Sequence, residues 1–298
     1  MIDPVFGQWA VMVLLFTSIS TKNLLYLLTN LPLIKLLVNF IIFYLYLYMT
    51  NKEKIKAGII IIGNEVLSGR TKDENTSTLA LWLNSMGIAV AEVKVIPDIE
   101  QIIIDTINEY RKKFNYVFTT GGIGPTHDDI TAESVSKTFQ IEYGFHKEAF
   151  SILEQYYKPG QFNDGRQKMA KMPVTANLIY NPTSGAPGFN VENVFCLPGV
   201  PSILKSMLGG IENSLVGGDP ILSDTINLRT VESEIAKSLT EVQNKYQDVE
   251  IGSYPFFRAG KLGVSIVLRS IDKDKINQCK FEINTFVKEK NIEIVENN

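Results

Sequence analysis

The stretch YVFTTGGIGPTHDDIT, residues 116–131, decides which fold this sequence is expected to adopt. Tyr116–Thr120 is a short apolar run typical of a buried strand, and the residues from Thr131 onward, TAESVSKTF, are compatible with a helix. In doubly wound α/β sheets, ligands bind at the carboxyl ends of the strands, where a glycine-rich turn before a helix presents backbone N–H groups to an anion. The stretch therefore predicts an α/β sheet with a phosphate site at the turn.

The residues before this stretch repeat the same alternation of strand and helix. Residues 57–62 form a continuous apolar run, as expected of a strand that is buried on both faces of a parallel sheet. Residues 75–86 have apolar positions at helical spacing, and residues 88–96 alternate like a second strand. Asp98, with Gln101 three residues later, resembles a capping box that opens the next helix. The pattern predicts a three-layer α/β/α domain with a mostly parallel sheet.

The whole sequence divides into three regions. The breaker GGDP at residues 217–220 separates a large domain expected at 55–218 from a small α+β domain expected at 221–298. The small domain has the pattern strand, helix, two strands, helix and a last short strand. Within the large domain, residues 159–189 carry prolines and glycines and are expected to be irregular. The third region, residues 1–50, is unusually apolar.

This apolar N-terminal segment has two interpretations. One is that translation starts at Met49 and that the preceding residues are an artefact of start assignment. The other is a membrane anchor, because residues 24–48 are long enough to span a bilayer, although polar residues and a proline interrupt them. No basic region precedes the segment, as it would in a secretory signal, and lysines follow it. Both interpretations predict a cytoplasmic domain, which would be attached to a membrane only if the anchor is real.

Composition and charge exclude several classes of function. The formal net charge of -3 supplies no basic field, so nucleic acid is not an expected partner. Cys196 and Cys279 lie far apart without CxxC spacing, which indicates neither a disulfide framework nor a cysteine zinc site. His127 and His146 are the only histidines, too few for a multi-histidine zinc centre. Any metal must therefore be held by oxygen ligands.

The segment GGIGPTHDDIT, residues 121–131, is the strongest candidate for a ligand site and is called the glycine loop below. Two adjacent carboxylates, Asp128 and Asp129, make sense beside a phosphate when a hard divalent cation such as magnesium bridges them to it. The alternative is that the glycines only make a tight turn and that an aspartate caps the next helix. The loop residues expected to bind a phosphate ligand are Gly121, Gly122, Gly124, Pro125, Thr126 and Thr131.

The glycine loop resembles the signature GGxGPTxDDxT of competence/damage-inducible protein A (CinA) and its relatives. Other CinA-like stretches follow in order: GNEVLSGRTKDENT at 63–76, VIPD at 95–98, NPTSGAPGF at 181–189 and LPGVP at 197–201. The same molybdopterin-binding (MoaB/Mog) domain type occurs in molybdopterin adenylyltransferases and in eukaryotic FAD synthases, which GSYP at 252–255 also resembles. This resemblance implies the three-layer fold and a small-molecule ligand that is a nucleotide or a pterin phosphate.

The resemblance also implies which residues form the site. Asp129 matches the catalytic or magnesium-handling aspartate of the adenylyltransferases, with Asp128 as a further metal ligand, and Asp98 matches their second acidic residue, although a helix N-cap would also explain Asp98. Asp73 and Asn75 are expected either to cap a helix or to face the cleft. The remaining candidates for ligand binding are Asn64, Glu65, Ser68 and Gly69 in the opening loop (residues 63–76), and Gly199 and Pro201 after a strand.

The function that the resemblance implies is metal-dependent hydrolysis of a nucleotide pyrophosphate such as ADP-ribose or FAD, with magnesium or another divalent cation. Two alternatives stay open. One is a noncatalytic module that holds a molybdopterin-like or nucleotide ligand for a partner. The other is adenylyl transfer to molybdopterin, which is disfavoured because Ile123 stands where the adenylyltransferases have threonine. Related domains commonly form oligomers, so a homo-oligomer is expected.

Overall fold

The computed structural model describes residues 55–258 and 260–295. Both interpretations of the apolar N-terminal segment therefore concern residues outside the described ranges. Within those ranges, no helix combines the length and the apolar character needed to cross a membrane.

Residues 55–218 are built around a six-stranded mixed sheet. Their strands are β1 (Lys56–Ile62), β2 (Ala89–Ile96), β3 (Tyr116–Thr120), β4 (Tyr143–Phe145), β5 (Lys171–Pro173), β6 (Asn177–Ile179), β7 (Gly188–Val191) and β8 (Val194–Leu197). The six-stranded sheet has the order β2-β1-β3-β8-β7-β6, while β4 and β5 pair separately. The pairs β1–β2, β1–β3 and β3–β8 are parallel, and β6–β7 and β7–β8 are antiparallel. The predicted α/β fold with a mostly parallel sheet is confirmed.

Helices cover both faces of this sheet. They are α1 (Asn64–Leu67), α2 (Asn75–Ser85), α3 (Glu100–Lys113), α4 (Thr131–Phe139), α5 (Lys147–Tyr156), α6 (Asp164–Lys168) and α7 (Pro201–Met207). Strand β1 is buried on both faces: Ile60 packs in one apolar cluster with residues of α3, and Ile59 packs in the other with residues of α2. In α3, the residues Ile103, Ile107 and Tyr110 lie one helical turn apart and are fully buried, which explains why this segment is a helix.

The C-terminal residues form a second, smaller sheet with its own core. The elements are β9 (Leu222–Arg229), α8 (Glu232–Lys245), β10 (Glu250–Arg258), β11 (Lys261–Ser270), α9 (Lys273–Glu289) and β12 (Glu293–Val295). The strands are antiparallel in the order β10-β11-β9-β12. Ile226, Ile266 and Ile283 lie in a single apolar cluster that joins the sheet to both helices. The element order matches the predicted pattern of strand, helix, two strands, helix and strand.

The capping box predicted at Asp98 is wrong. Helix α3 begins at Glu100 with Ile99 as its N-cap, and no side chain caps it. The Asp98 carboxylate instead accepts a hydrogen bond from the backbone N–H of Asn64 at 2.8 Å. The reason is strand register: β1 and β2 are parallel with Ile62 opposite Ile96, so the residues two positions beyond each strand also lie side by side.

The stretch 159–189, which was expected to be irregular, contains the short elements α6, β5 and β6. Each has only three to five residues. Elements of this length are too short to produce a recognisable apolar periodicity, so the prolines and glycines around them dominate the sequence pattern. These short elements matter because α6 lies beside the glycine loop.

Candidate functional site

The glycine loop begins with a backbone conformation that requires glycine. Gly121 has a φ of 100° and Gly122 a φ of 68°. A Cβ atom at Gly121 would lie 2.1 Å from the carbonyl oxygen of Ile62, and one at Gly122 would lie 2.1 Å from Oγ1 of Thr131. Both positions therefore exclude side chains by conformation and by close packing. The absence of a side chain lets Gly121 lie close to β1 and Gly122 lie close to the first residue of α4.

Thr131 anchors the loop to the start of α4. Its backbone N–H donates to the carbonyl of Gly122 at 2.9 Å, and its hydroxyl donates to the carbonyl of Gly121 at 3.0 Å. The residue is fully buried. The N–H of Gly121 in turn donates to the carbonyl of Leu197 at 3.1 Å. The Thr131 hydroxyl, which was predicted to bind the ligand, thus donates to the loop backbone instead.

The two aspartates of the loop converge on the side chain of Thr126. The Thr126 hydroxyl oxygen lies 2.6 Å from Oδ1 of Asp128 and 2.5 Å from Oδ2 of Asp129. Asp129 also accepts the backbone N–H of Thr126 at 2.7 Å. One hydroxyl carries one hydrogen, so it can donate to only one of the two carboxylates at a time. The N-cap of α4 is Ile130, so neither aspartate caps this helix.

The charge of this cluster is negative at neutral pH. The hydroxyl of Thr126, followed by the backbone N–H of Asp128 itself, lowers the pKa of the Asp128 carboxyl below its ordinary value of 3.8, and nearby His127 and Lys168 add smaller effects in the same direction. The His127 ring is 98% exposed and lies 3.9 Å from Asp128.

The opening loop lies at the adjacent end of β1 and is more exposed. Asn64, Glu65, Ser68 and Gly69 are all exposed, and the Ser68 hydroxyl donates to the carbonyl of Glu65 at 3.2 Å. Gly69 has a φ of 72°, with no atom within 4 Å of an added Cβ. These residues form a rim that is open to solvent.

A small pocket separates the opening loop from the turn after β8. Its volume is about 40 Å³, and its lining includes Glu65, Asp73, Asn75, Thr120, Gly199 and Pro201. The amide nitrogen of Asn75 donates to the carbonyl of Gly199 at 2.8 Å and contacts the Thr120 hydroxyl at 3.3 Å. Asn75 is 5% exposed, and its amide oxygen has no hydrogen-bond partner. A ligand or water with a donor group would satisfy this oxygen.

Asp73 and Asn75 have different roles, although both were predicted either to cap a helix or to face the cleft. The Asp73 carboxylate accepts the backbone N–H groups of Asn75 and Thr76, the first two residues of α2, at 2.9 and 3.2 Å, although the N-cap residue of this helix is Glu74. The side chain of Asn75 reaches across to the turn after β8 instead. There Pro201 is the first residue of α7, and Gly199 lies against Gly121: a Cβ added to Gly199 would be 3.5 Å from the Gly121 Cα.

The site therefore brings together three of the predicted loops: residues 63–76, 121–131 and 197–201. All three follow strands that run in the same direction, β1, β3 and β8. Among the described residues, no group of three or more His, Cys, Asp or Glu side chains is arranged to hold a metal ion. On the glycine loop, Thr126, Asp128 and Asp129 bring one hydroxyl oxygen and two carboxylate oxygens together.

Sequence reasoning missed Lys168, which belongs to this site. Lys168 is the last residue of α6, and its ammonium group donates to the carbonyl oxygen of Thr126. Gly165 of the same helix packs on Pro125, since a Cβ there would lie 3.7 Å from the Pro125 carbonyl oxygen. Forty-two residues separate Lys168 from Thr126 in the sequence, so no local pattern could have joined them.

A larger cavity of about 280 Å³ lies at the other end of the sheet. Tyr116, at the start of β3, and Asn193, just before β8, are among its lining residues. Ligands in α/β sheets bind at the carboxyl ends of the strands, whereas this cavity lies at their amino ends. The loop cluster at the carboxyl ends is therefore the better candidate, in spite of its smaller pocket.

Comparison with known proteins agrees with this fold. The family profile described as a probable molybdopterin binding domain matches residues 58–215, and that of the FAD synthase middle domain matches residues 220–296. A protein of Archaeoglobus fulgidus is 32% identical over 221 residues, covering 74% of this chain and 93% of its own length. A protein of Sulfolobus acidocaldarius is 32% identical over 249 residues, covering 78% and 94%.

Among solved structures, the protein CinA of Thermoplasma acidophilum, described as of unknown function, superimposes with a TM-score of 0.50. It is 30% identical and covers 53% of this chain and 98% of its own. The predicted resemblance to CinA and to the molybdopterin-binding domain is confirmed by these matches. The profile match spans more than half of the sequence, and this chain belongs to the molybdopterin-binding domain family.

Proposed function

We propose that this protein is a metal-dependent hydrolase of nucleotide pyrophosphates such as ADP-ribose or FAD. The observation that carries the proposal is a group of three side-chain oxygens on the glycine loop: the Thr126 hydroxyl oxygen lies 2.6 Å from an Asp128 oxygen and 2.5 Å from an Asp129 oxygen. Backbone N–H groups of a glycine-rich turn favour a phosphate, whereas two carboxylates alone would repel it. Carboxylates at this position favour a function in which they bind a cation or accept a proton next to the phosphate.

The oxygen donors suit magnesium. Thr126, Asp128 and Asp129 would hold the ion, since hard divalent cations prefer carboxylate and other oxygen ligands. The single hydroxyl hydrogen cannot satisfy both carboxylates, so a cation would also relieve the repulsion between them. When bound, magnesium supplies positive charge that polarises the phosphate.

The residues of the chain would bind and orient the pyrophosphate. Backbone N–H groups of the glycine loop would stabilise the negative charge that develops on the phosphate oxygens. A water molecule would attack one phosphorus, the bridging P–O bond would break, and the water proton would pass to solvent. The products of ADP-ribose would be AMP and ribose 5-phosphate, without a covalent intermediate. The acceptor oxygen of Asn75 would receive a hydrogen bond from a donor on the nucleotide.

The test is the release of AMP by the purified full-length protein. ADP-ribose and FAD are each incubated with magnesium, manganese or other divalent ions, and AMP is measured by chromatography. The expected result is metal-dependent AMP formation that Asp129→Asn reduces by about 100-fold or more. Asp105→Asn, which changes an exposed carboxylate on α3, is the matched control and should act like the wild type. Absence of AMP under every metal would remove the proposal.

A noncatalytic binding module is the second candidate. One observation favours it: both loop carboxylates can accept a hydrogen bond from Thr126 at the same time, Asp128 from the hydroxyl and Asp129 from the backbone N–H. In that case the cluster would shape the loop for binding only. Tight binding of AMP or ADP-ribose in titration calorimetry, without turnover, would identify this function.

A further inference from the structure

Helix α6 and the residues before it form a wall beside the glycine loop. Asn163 caps α6 by accepting the backbone N–H of Arg166 at 3.1 Å. The guanidinium of Arg166 lies 4.2 Å from the centre of the Tyr157 ring and donates to the carbonyl of Gln161. These contacts fix α6 against the residues before it. Lys168, the last residue of α6, is thereby positioned next to the glycine loop.

Lys168 is the last residue of α6, and its ammonium group contacts the glycine loop. The ammonium donates to the carbonyl of Thr126, the residue on which Asp128 and Asp129 converge. An ammonium group has three donor hydrogens, and this contact uses one of them. The ammonium therefore has two further hydrogens that it could donate to a phosphate bound at the loop.

The charges of the loop show why a cation is needed there. A pyrophosphate is anionic, and two carboxylates beside it raise the electrostatic cost of binding. Two neighbouring cations are engaged elsewhere: Arg166 of α6 stacks on Tyr157, and Lys171 of β5 lies 4.9 Å from the centre of the Phe145 ring. Of these three cations, Lys168 alone is bonded to the glycine loop.

We propose that Lys168 binds the phosphate groups of the ligand and is the cation by which this site recognises a pyrophosphate. This inference rests on the proposed function for the identity of the ligand. Lys168 would donate to a non-bridging phosphate oxygen while it keeps its bond to Thr126. It would thereby offset the charge of Asp128 and Asp129 and stabilise the charge that develops when the bridging bond breaks.

The test measures binding of inorganic pyrophosphate by titration calorimetry, with the full-length protein and without turnover. Lys168→Met should weaken binding by about 10- to 100-fold, because it removes a charged hydrogen bond to the anion. Lys168→Arg, which keeps the charge, should stay within about fivefold of the wild type. Lys171→Met removes the same charge three residues away, on the Phe145 ring, and should change affinity by less than about twofold.

The outcomes separate a binding role from a structural one. If Lys168 served only to fasten the loop to α6, Lys168→Met would lower the melting temperature, and Lys168→Arg would not restore pyrophosphate affinity. Equal affinity of Lys168→Met and wild type would overturn the inference, and so would failure of the wild type to bind pyrophosphate. If the wild type binds pyrophosphate in a Lys168-dependent way but releases no AMP from any substrate, the hydrolase proposal fails and the inference stands.

Discussion

The glycine loop and the opening loop follow neighbouring parallel strands, yet they use glycine for different reasons. Gly122 and Gly69 have nearly the same backbone conformation, with φ of 68° and 72°. A Cβ on Gly122 would strike the Thr131 hydroxyl at 2.1 Å, whereas a Cβ on Gly69 would meet no atom within 4 Å. The same residue in the same conformation is therefore a packing requirement in one loop and only a conformational preference in the other.

This difference indicates how the two loops would serve a ligand. The glycine loop is fixed by buried bonds before any ligand arrives, as a preorganised anion site should be. The middle of the opening loop, residues 67–70, is exposed, so this part of the loop can adapt to the rest of a ligand.

The largest expected effect comes from Gly122→Ala compared with Gly69→Ala. Gly122→Ala combines an unfavourable φ with a steric clash and should lower the free energy of unfolding by about 3 kcal/mol or more. Gly69→Ala has only the conformational cost and should lower it by about 1 kcal/mol. Urea denaturation measures both values. Equal losses in the two variants would contradict the distinction between the loops.

Hydroxyl removal should give a smaller difference in the same direction. Thr131→Val leaves the buried carbonyl of Gly121 without its donor and should destabilise the protein by about 1–3 kcal/mol. Ser68→Ala removes an exposed hydroxyl in the opening loop and should change stability by less than about 0.5 kcal/mol. The same denaturation assay applies, and a larger effect of Ser68→Ala would show that the opening loop is the more tightly built of the two.

A titration experiment can measure how the Thr126 hydroxyl affects the pKa of Asp128 in the glycine loop. The pKa of Asp128 should lie below 3.8 in the folded protein, and Thr126→Val should move it upward because the Thr126 hydroxyl is the main cause of the shift. Since the folded-state pKa is lowered, the interaction stabilises the loop at neutral pH and is lost as the pH falls through that pKa. Carboxyl NMR spectra recorded against pH measure the value. An unchanged pKa in Thr126→Val would disprove the contact.

The smallest expected effect concerns the two cysteines. Burial raises the pKa of Cys196, in the strand before the LPGVP turn, to about 12, and that of Cys279, in the C-terminal sheet domain, to about 11. Both thiols should therefore be unreactive toward the thiol reagent DTNB at about pH 8. If Gly122→Ala loosens the loop cluster locally, Cys196 should react before Cys279. If Cys279 reacted first, the C-terminal domain would be the part of the protein that the substitution loosens most.

Much of the fold could be predicted from the sequence because its strands are continuous apolar runs and the glycine loop has a recognisable pattern. The parts of the site that escaped prediction depend on contacts between distant residues. Asp98 was expected to cap the helix next to it, but strand register places it at Asn64. Lys168 reaches Thr126 from a five-residue helix that has no apolar periodicity of its own. A single sequence contains no local signal for either contact.

The prediction of Asn75 illustrates the same limit. Its position in the opening loop suggested either a helix cap or a cleft residue, and both are reasonable for an asparagine before a helix. Only the folded chain shows that its amide joins the turn at Gly199 and leaves one buried oxygen unpaired. Side-chain direction decided between the two interpretations, and the sequence does not specify it.

The most direct test of the central claim is a crystal structure of the protein with an uncleavable, methylene-bridged analogue of ADP-ribose. We expect phosphate oxygens within about 3 Å of backbone N–H groups of the glycine loop and of the Lys168 ammonium. We also expect a hydrogen-bond donor of the nucleotide at the buried oxygen of Asn75. Phosphates bound elsewhere, for example in the 280 Å³ cavity near Tyr116, with the glycine loop free of ligand, would contradict the central claim.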